Sequence, residues 1–325
     1  RVFWVKPSVE FLEKYLKVNH YDVLVTTGPP HSLHLIGLGL KKKFPDLKWI
    51  ADFRDPWTEI SYYKHLKLTK IADKKHRKLE SEVFKNADIT LATSYTDAEN
   101  FRKNGANAFC ITNGFDVDAS TTLSMTEENS KTLPLSNSTT KFTLSYIGVL
   151  EQLRNPEILW ETLNDLVQEN ADFKNDFELK FVGRLDDKIL QKIESSALKS
   201  NLTNLGYQTH DVALKHMQDS TVLLMTNFPQ ESSKGIIPGK IFEYLATGKT
   251  ILSFGPKDAD VEKILNETKA GKHFGYDEKE NLKKFILESY ENWKSGTLNQ
   301  NAENIEQFSR KNLTQKLVDL MNKWF

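Results

Sequence analysis

Cysteine is almost absent from this chain. Cys110 stands alone among 325 residues, which excludes an internal disulfide framework and suits a reducing compartment. Its surroundings, AFCIT, read as a strand, so the thiol is expected to be an inert core group. No apolar run approaches the ~18 residues of a membrane-spanning helix, and no signal-peptide pattern opens the sequence. The expected location is therefore cytoplasmic. Neither sign of charge is in excess, with 44 Lys+Arg against 44 Asp+Glu, so the global footprint of a nucleic-acid-binding protein is missing. HExxH, CxxC and GxSxG are absent, as is GxGxxG, which leaves zinc peptidase, redox, triad hydrolase and nicotinamide dehydrogenase chemistry without support. The 8 histidines show no metal-ligand spacing. Two Asp-x-Asp triplets occur, Asp116–Asp118 and Asp258–Asp260. The first belongs to a turn and the second opens a helix, where acids favour the dipole, so no metal is expected.

What is present is an alternation of strands and helices, and hence parallel α/β sheets. In the first half, strands are expected at 22–27, 49–53, 88–92 and 109–112, with helices at 32–43, 68–86 and 96–103. The second half restarts with strands at 142–147, 178–182, 221–225 and 250–254 and a weak one near His273. Its helices are expected at 156–169, 187–199, 211–219, 239–246, 260–267, 278–294 and 302–323. Between the halves, 118–141 is rich in Ser and Thr, lacks periodicity and reads as a linker. The fold class is α/β, two Rossmann-like domains facing a cleft. Residues 1–117 form the first, 142–300 the second, and 301–325 a closing helix able to pack back on the first. A doubly wound domain normally opens with strand, glycine-rich turn and helix. This chain enters on an amphipathic helix at Arg1, so its first domain is expected to lack its initial strands.

One segment carries the chemistry: Ser232–Pro256, SSKGIIPGKIFEYLATGKTILSFGP. It reads as a loop through Gly235 and Ile237, a helix opened by Pro238-Gly239, a Thr247-Gly248 stop and a buried strand. Proline fits a first helical turn, where its missing N–H has no partner to lose. Gly235 lets backbone approach a ligand. Free amides at the helix start suit an anion, while Lys240 and Glu243, one turn apart, share a face. A cation suits phosphate and a carboxylate suits sugar hydroxyls, so the segment reads as a nucleotide-diphosphate or sugar-phosphate cradle.

That segment resembles the donor-binding motif of the family 4 (group 1) retaining glycosyltransferases, which have the GT-B fold. In that family two glutamates lie eight positions apart, and Glu243 matches the second, the ribose ligand. The first falls on Gly235, so the resemblance assigns no donor-sugar contact there. The likeness extends over nearly the whole chain. Gly148, ending the strand 142–147, matches the family's glycine at the diphosphate. Val149 replaces the arginine that usually follows, and Arg154 stands near the family's lysine; a helix-capping role for Arg154 is the alternative. Arg184 is a candidate for the missing charge. Gly206 and His210 fall where the family's base-binding loop lies, although a histidine at His210's position is more often a helix-start residue than a ligand.

On the acceptor side, Gly28 and His31 follow one strand, and Arg54, Asp55 and Trp57 follow the next. Together they offer a cation, a carboxylate and a flat stacking face. The bland alternative is an Arg54–Asp55 ion pair fixing the loop. Asn113, in Asn-Gly-Phe-Asp, marks the domain junction as a turn. The segment Lys64–Lys78 holds seven Lys/Arg against one Asp and reads either as a solvated helix face or as a surface for anionic lipid.

The resemblance implies a bacterial, metal-independent, retaining transferase of cell-envelope polysaccharide synthesis, peripheral at the inner membrane. It would move sugar from a nucleotide-diphosphate donor to a glycan or lipid-linked acceptor without a cofactor. Arg154, Lys240 and the amides at 238–240 would stabilise the departing diphosphate. A non-catalytic nucleotide-sugar-binding chain and a nucleotide-sugar epimerase of the same fold are the alternative readings.

Overall fold

The computed structural model describes residues 3–60, 63–116, 141–298 and 302–325. The expected linker 118–141 lies outside them except for Lys141, as does Asp118 of the first acidic triplet. The chain divides into two compact units, Arg1–Asn113 with Asn312–Phe325, and Gly114–Lys311. Each is a Rossmann-like α/β layer built on a parallel sheet.

In the first unit the strands are β1 (Val23–Gly28), β2 (Lys48–Phe53), β3 (Ile89–Ala92) and β4 (Ala108–Cys110), paired in that order and all parallel. Buried parallel strands need apolar side chains on both faces, and Ile89–Ala92 is buried at every position. Ser32–Lys43, Lys70–Asn86 and Tyr95–Lys103 form the crossover helices. The last two are capped: Thr69 accepts from the Ala72 amide and Ser94 from the Asp97 amide. Trp49 is fully buried, and its indole N–H donates to Thr26 Oγ1 at 2.9 Å. Only a glycine fits opposite it, since a Cβ on Gly37 would lie 2.5 Å from the indole. On the other face Leu317, Leu320 and Met321, from the helix Arg310–Trp324, pack against Ile50, Ile89 and Leu91.

The second unit has β5 (Phe142–Ile147), β6 (Phe177–Val182), β7 (Leu202–Asn204), β8 (Val222–Thr226), β9 (Thr250–Phe254) and β10 (Gly271–Phe274). Their order is β10-β9-β8-β5-β6-β7, all parallel. The chain runs outward from β5 to β7, then returns to β8 on the other side of β5. The β5/β8 boundary is thus the topological switch point, where open α/β sheets bind ligands beyond the strand C-termini.

Three expectations need correction. The helix expected over 187–199 ends at Glu194, and a 3-10 turn, Ala197–Asn201, follows. The closing helix expected over 302–323 begins only at Arg310. Asn304 adopts a left-handed backbone and the Arg310 amide donates to Phe115 O, so 302–309 is spent on a 3-10 turn and a β-bridge. Cys110 is half-buried, at the end of edge strand β4.

Candidate functional site

In the second unit, side chains converge at the switch point. Beyond β5, backbone pairing continues past the strand: Gly148 N donates to Val182 O, Leu150 N to Arg184 O, and Gly183 N to Gly206 O. This holds three loops in register. Gly148 and Gly183 both have φ of +121°, which L side chains rarely adopt. A Cβ on Gly183 would lie 2.2 Å from Gly148 O, whereas one on Gly148 would meet only Lys240 Nζ, at 3.8 Å. Gly183 is needed for packing and Gly148 leaves bare backbone beneath a cation.

Lys240 opens the helix Lys240–Ala246. Its Nζ donates to Ile147 O at 3.2 Å and sits 4.1 Å from the Tyr146 ring centroid. Burial, then the nearby Arg154 charge, lower its pKa from 10.5 to about 7, while Glu243 opposes the shift. Arg154 ends the turn Gln152–Arg154. Its Nη2 donates to Val149 O at 2.9 Å and its guanidinium lies 5.4 Å from the Phe228 ring centroid. Its contact with Glu151 is long, 3.5 Å, and its buried Nε has no partner. Glu243 is half-buried one turn into the helix, and its carboxylate makes no hydrogen bond or ion pair among the described residues. The site therefore holds two adjacent cations and one free carboxylate.

The amides at the helix start are fewer than the sequence promised. Ile241 N already donates to Pro238 O and Phe242 N to Gly239 O, and Pro238 has none. Gly239 and Lys240 keep theirs. Gly239 is exposed, and Gly235, Ile237 and Pro238 are half-buried. Arg184 and His210 are exposed, His210 at the start of the helix His210–Gln218, and Gly206 has φ of +63° with open space around it.

Sequence reasoning missed two residues that shape this site. Asn227, just past β8, donates to Ile236 O at 2.8 Å and accepts from the Phe228 amide. It ties the loop before Lys240 to the switch point. The Tyr276 hydroxyl, beyond β10, reaches the carbonyls of both Asn227 and Arg154. The only signal available for either was a polar residue one or two positions after a strand. Asp258 and Asp260 do not form a metal pair. Asp258 has a positive φ, while fully buried Asp260 meets Lys263 Nζ at 3.1 Å. No cluster of three or more His, Cys, Asp or Glu with metal-binding placement occurs among the described residues.

In the first unit, Gly28 ends β1, and His31, Arg54 and Asp55 lie beyond the C-terminal ends of β1 and β2. Arg54 and Asp55 are exposed and form no ion pair with each other. The Arg54 backbone is fixed instead, its N–H donating to Gly28 O and its carbonyl accepting from Thr93 Oγ1. Trp57 corrects the expectation of an open stacking face. It is 8% exposed, stacked on His31 at 5.3 Å, with its indole N–H donating to His76 Nδ1. Two imidazoles line this end. Burial lowers the pKa of His31 to about 4, against a hydrogen bond to the Pro56 backbone, and that of His34 to about 3. His34 is fully buried; its Nδ1 pairs with Thr26 Oγ1, and its Nε2 has no partner. Asp52, also missed, accepts from Thr27 Oγ1 at 2.8 Å, and burial raises its pKa. Asn113 is exposed at the junction.

No known protein-family signature matches the chain, and no curated protein sequence does. Solved structures do match its fold. Anabaena HepE in complex with UDP aligns with TM-score 0.69 at 16% identity, over 98% of this chain and 82% of that one. The lipopolysaccharide outer core galactosyltransferase WaaB aligns with TM-score 0.64 at 12% identity, over 99% and 80%. A UDP-N-acetylglucosamine 2-epimerase-like protein of Listeria monocytogenes aligns with TM-score 0.54 at 15% identity, over 98% and 78%. The fold is GT-B-like, and the epimerase shares it, so chemistry must be argued from the site.

Proposed function

We propose that the chain is a retaining, metal-independent glycosyltransferase that takes its sugar from a nucleotide-diphosphate donor bound by the second unit. The observation carrying this reading is the Lys240–Arg154 pair over bare Gly148 backbone at the β5/β8 switch point. Two like charges held together in a partly buried place are unfavourable until an anion arrives. A diphosphate supplies that anion, and the same cations stabilise it as a leaving group when negative charge develops on its oxygen. The free Glu243 carboxylate, a turn further in, accepts hydrogen bonds from ribose hydroxyls. Asn227 and Tyr276 are positioning residues that fix the two loops carrying the cations.

With the charge of the leaving group met by Lys240 and Arg154, departure needs no divalent ion. Attack by an acceptor hydroxyl from the face of departure gives retention without an enzyme nucleophile. The first unit presents the acceptor side, through Arg54, Asp55 and the half-buried Asp52. UDP is the first nucleotide to try, given the structural likeness to a UDP-bound protein.

The test combines binding and turnover. Thermal stability is measured with UDP, GDP and ADP. A ligand at a hundred times its dissociation constant adds about 2.7 kcal/mol. Donor hydrolysis is then followed by proton NMR in the presence of a chelator, with water standing in for the acceptor. The expected result is stabilisation by one nucleotide and release of sugar whose first-formed anomer keeps the donor configuration. An inverted anomer or a chelator-sensitive rate refutes the mechanism. Epimerised donor without transfer assigns the chain to the epimerases, and binding without turnover assigns it to non-catalytic modules.

A further inference from the structure

We propose that the outer face of the helix Lys70–Asn86, with the turn before it, is a docking surface for an anionic lipid bilayer. The helix advances about 100° per residue. Lys70, Lys74, Lys78, Ile71 and Lys75 therefore share an arc of about 140°, opposite the buried Val83 and half-buried His76. All five are exposed. Lys67, just ahead of the helix, is exposed as well. None of these lysines forms an ion pair among the described residues, whereas the neighbouring acids Asp73 and Glu59 are both held by Arg77. Glu80 is buried against Thr58, its carboxylate accepting from the Thr58 amide and hydroxyl. The face is thus a local cationic excess on a chain whose charges balance as a whole.

Aliphatic side chains stand among those lysines. Ile71 is 84% exposed, Leu66 50% and Leu68 36%. A helix presented only to water gains nothing from an isoleucine at its most exposed position. Lysines with aliphatic side chains beside them suit an interface where ammonium groups meet lipid phosphates and the aliphatic groups enter the acyl boundary. Nucleic acid satisfies the charge and leaves the three aliphatic groups in water. The inference rests on unit 1 alone and does not depend on the donor site.

The experiment is co-sedimentation of the full chain with phosphatidylcholine vesicles, with and without about a third phosphatidylglycerol. The expected result is binding to the anionic vesicles only, released at about 0.5 M salt, where screening is nearly complete. Each lysine is worth about fivefold in partitioning. K70A/K74A/K75A/K78A should therefore bind several hundredfold more weakly, with an unchanged melting temperature because all four side chains are exposed. In I71W, the new indole should shift its emission to the blue on anionic vesicles. Equal binding to both vesicle types, full binding by the quadruple variant, or an unmoved emission overturns the proposal. So does retention on single-stranded RNA without vesicle binding. Should the quadruple variant fail to fold, the salt series and I71W decide.

Discussion

Lys240 makes donor binding a proton-linked event. Its pKa in the folded chain is about 7, against an ordinary 10.5, mainly because the ammonium is desolvated. At 1.36 kcal/mol per tenfold, keeping it charged costs roughly 4–5 kcal/mol. A bound diphosphate supplies the counter-charge and restores the ammonium. Above pH 7 Lys240 in the free site is mostly neutral, so binding must take up a proton. Affinity then approaches a tenfold fall per pH unit, about fiftyfold in all between pH 7 and 9. A nucleotide-diphosphate sugar is the right ligand, since its diphosphate carries no terminal phosphate to titrate. Isothermal calorimetry in buffers of different ionisation enthalpy should count close to one proton taken up at about pH 8.5. In Lys240→Met both the slope and the proton uptake vanish. The same group sets a stability trend of known sign. Below pH 7 the lysine is charged in both states and the full penalty stands. Between 7 and 10.5 the unfolded chain binds more protons, so wild-type stability climbs relative to Lys240→Met. A flat affinity profile from pH 7 to 9 in the wild type refutes the placement of Lys240 against the diphosphate.

Other outcomes follow from the same geometry. Glu243→Ala and Arg154→Ala should each weaken nucleotide binding by about tenfold to a hundredfold, the range of a lost charge-assisted hydrogen bond, as read by calorimetry. Glu243→Ala should in addition lose discrimination against the 2′-deoxynucleotide; unchanged affinity in both variants sinks the site assignment. Gly183→Ala forces a Cβ to 2.2 Å from Gly148 O, so its melting temperature should fall sharply, whereas Gly206→Ala, with open space, should lose only about 1 kcal/mol in a denaturant titration. His34 is neutral when folded, with a pKa near 3 against 6.5, so stability falls as pH drops below 6.5. By pH 5 the loss is about 2 kcal/mol, and His34→Gln should flatten that limb of the acid denaturation curve.

Much of this arrangement could be read from the chain because local pattern and global fold agree. Phe142–Ile147 and Thr250–Phe254 are apolar runs bounded by turn residues, and both form buried strands with those limits. Ser32–Lys43 is a helix over the expected span. The strand Leu202–Asn204 was missed because three residues at a sheet edge carry no period. The helix Ala171–Asp176 was missed because its Asn170 cap precedes too short an amphipathic stretch. Gly148, Arg154 and Lys240 could be singled out in the sequence because a glycine at a strand end and cations in a following turn and at a helix start have a chemical reason to be there. Asn227 and Tyr276 were not, since only the order of β8, β5 and β10 brings their loops together. Trp57 was misread for a related reason: composition shows that a ring is available, and only packing shows that its face is covered by His31.

The helix Arg310–Trp324 has a consequence for the order in which the protein comes into being. Ile50, Ile89 and Leu91 leave the ribosome early, yet Leu317, Leu320 and Met321, which cover them, belong to the last turns of the described chain. At ~5–20 residues per second, roughly 10–60 s separate the two events. During that interval one face of the first sheet is bare while the second unit, Gly114–Lys311, is still being synthesised. The nascent first unit is therefore the natural client of a holding chaperone. Removal of the final helix should leave a chain whose second unit folds and whose first unit keeps that dependence permanently.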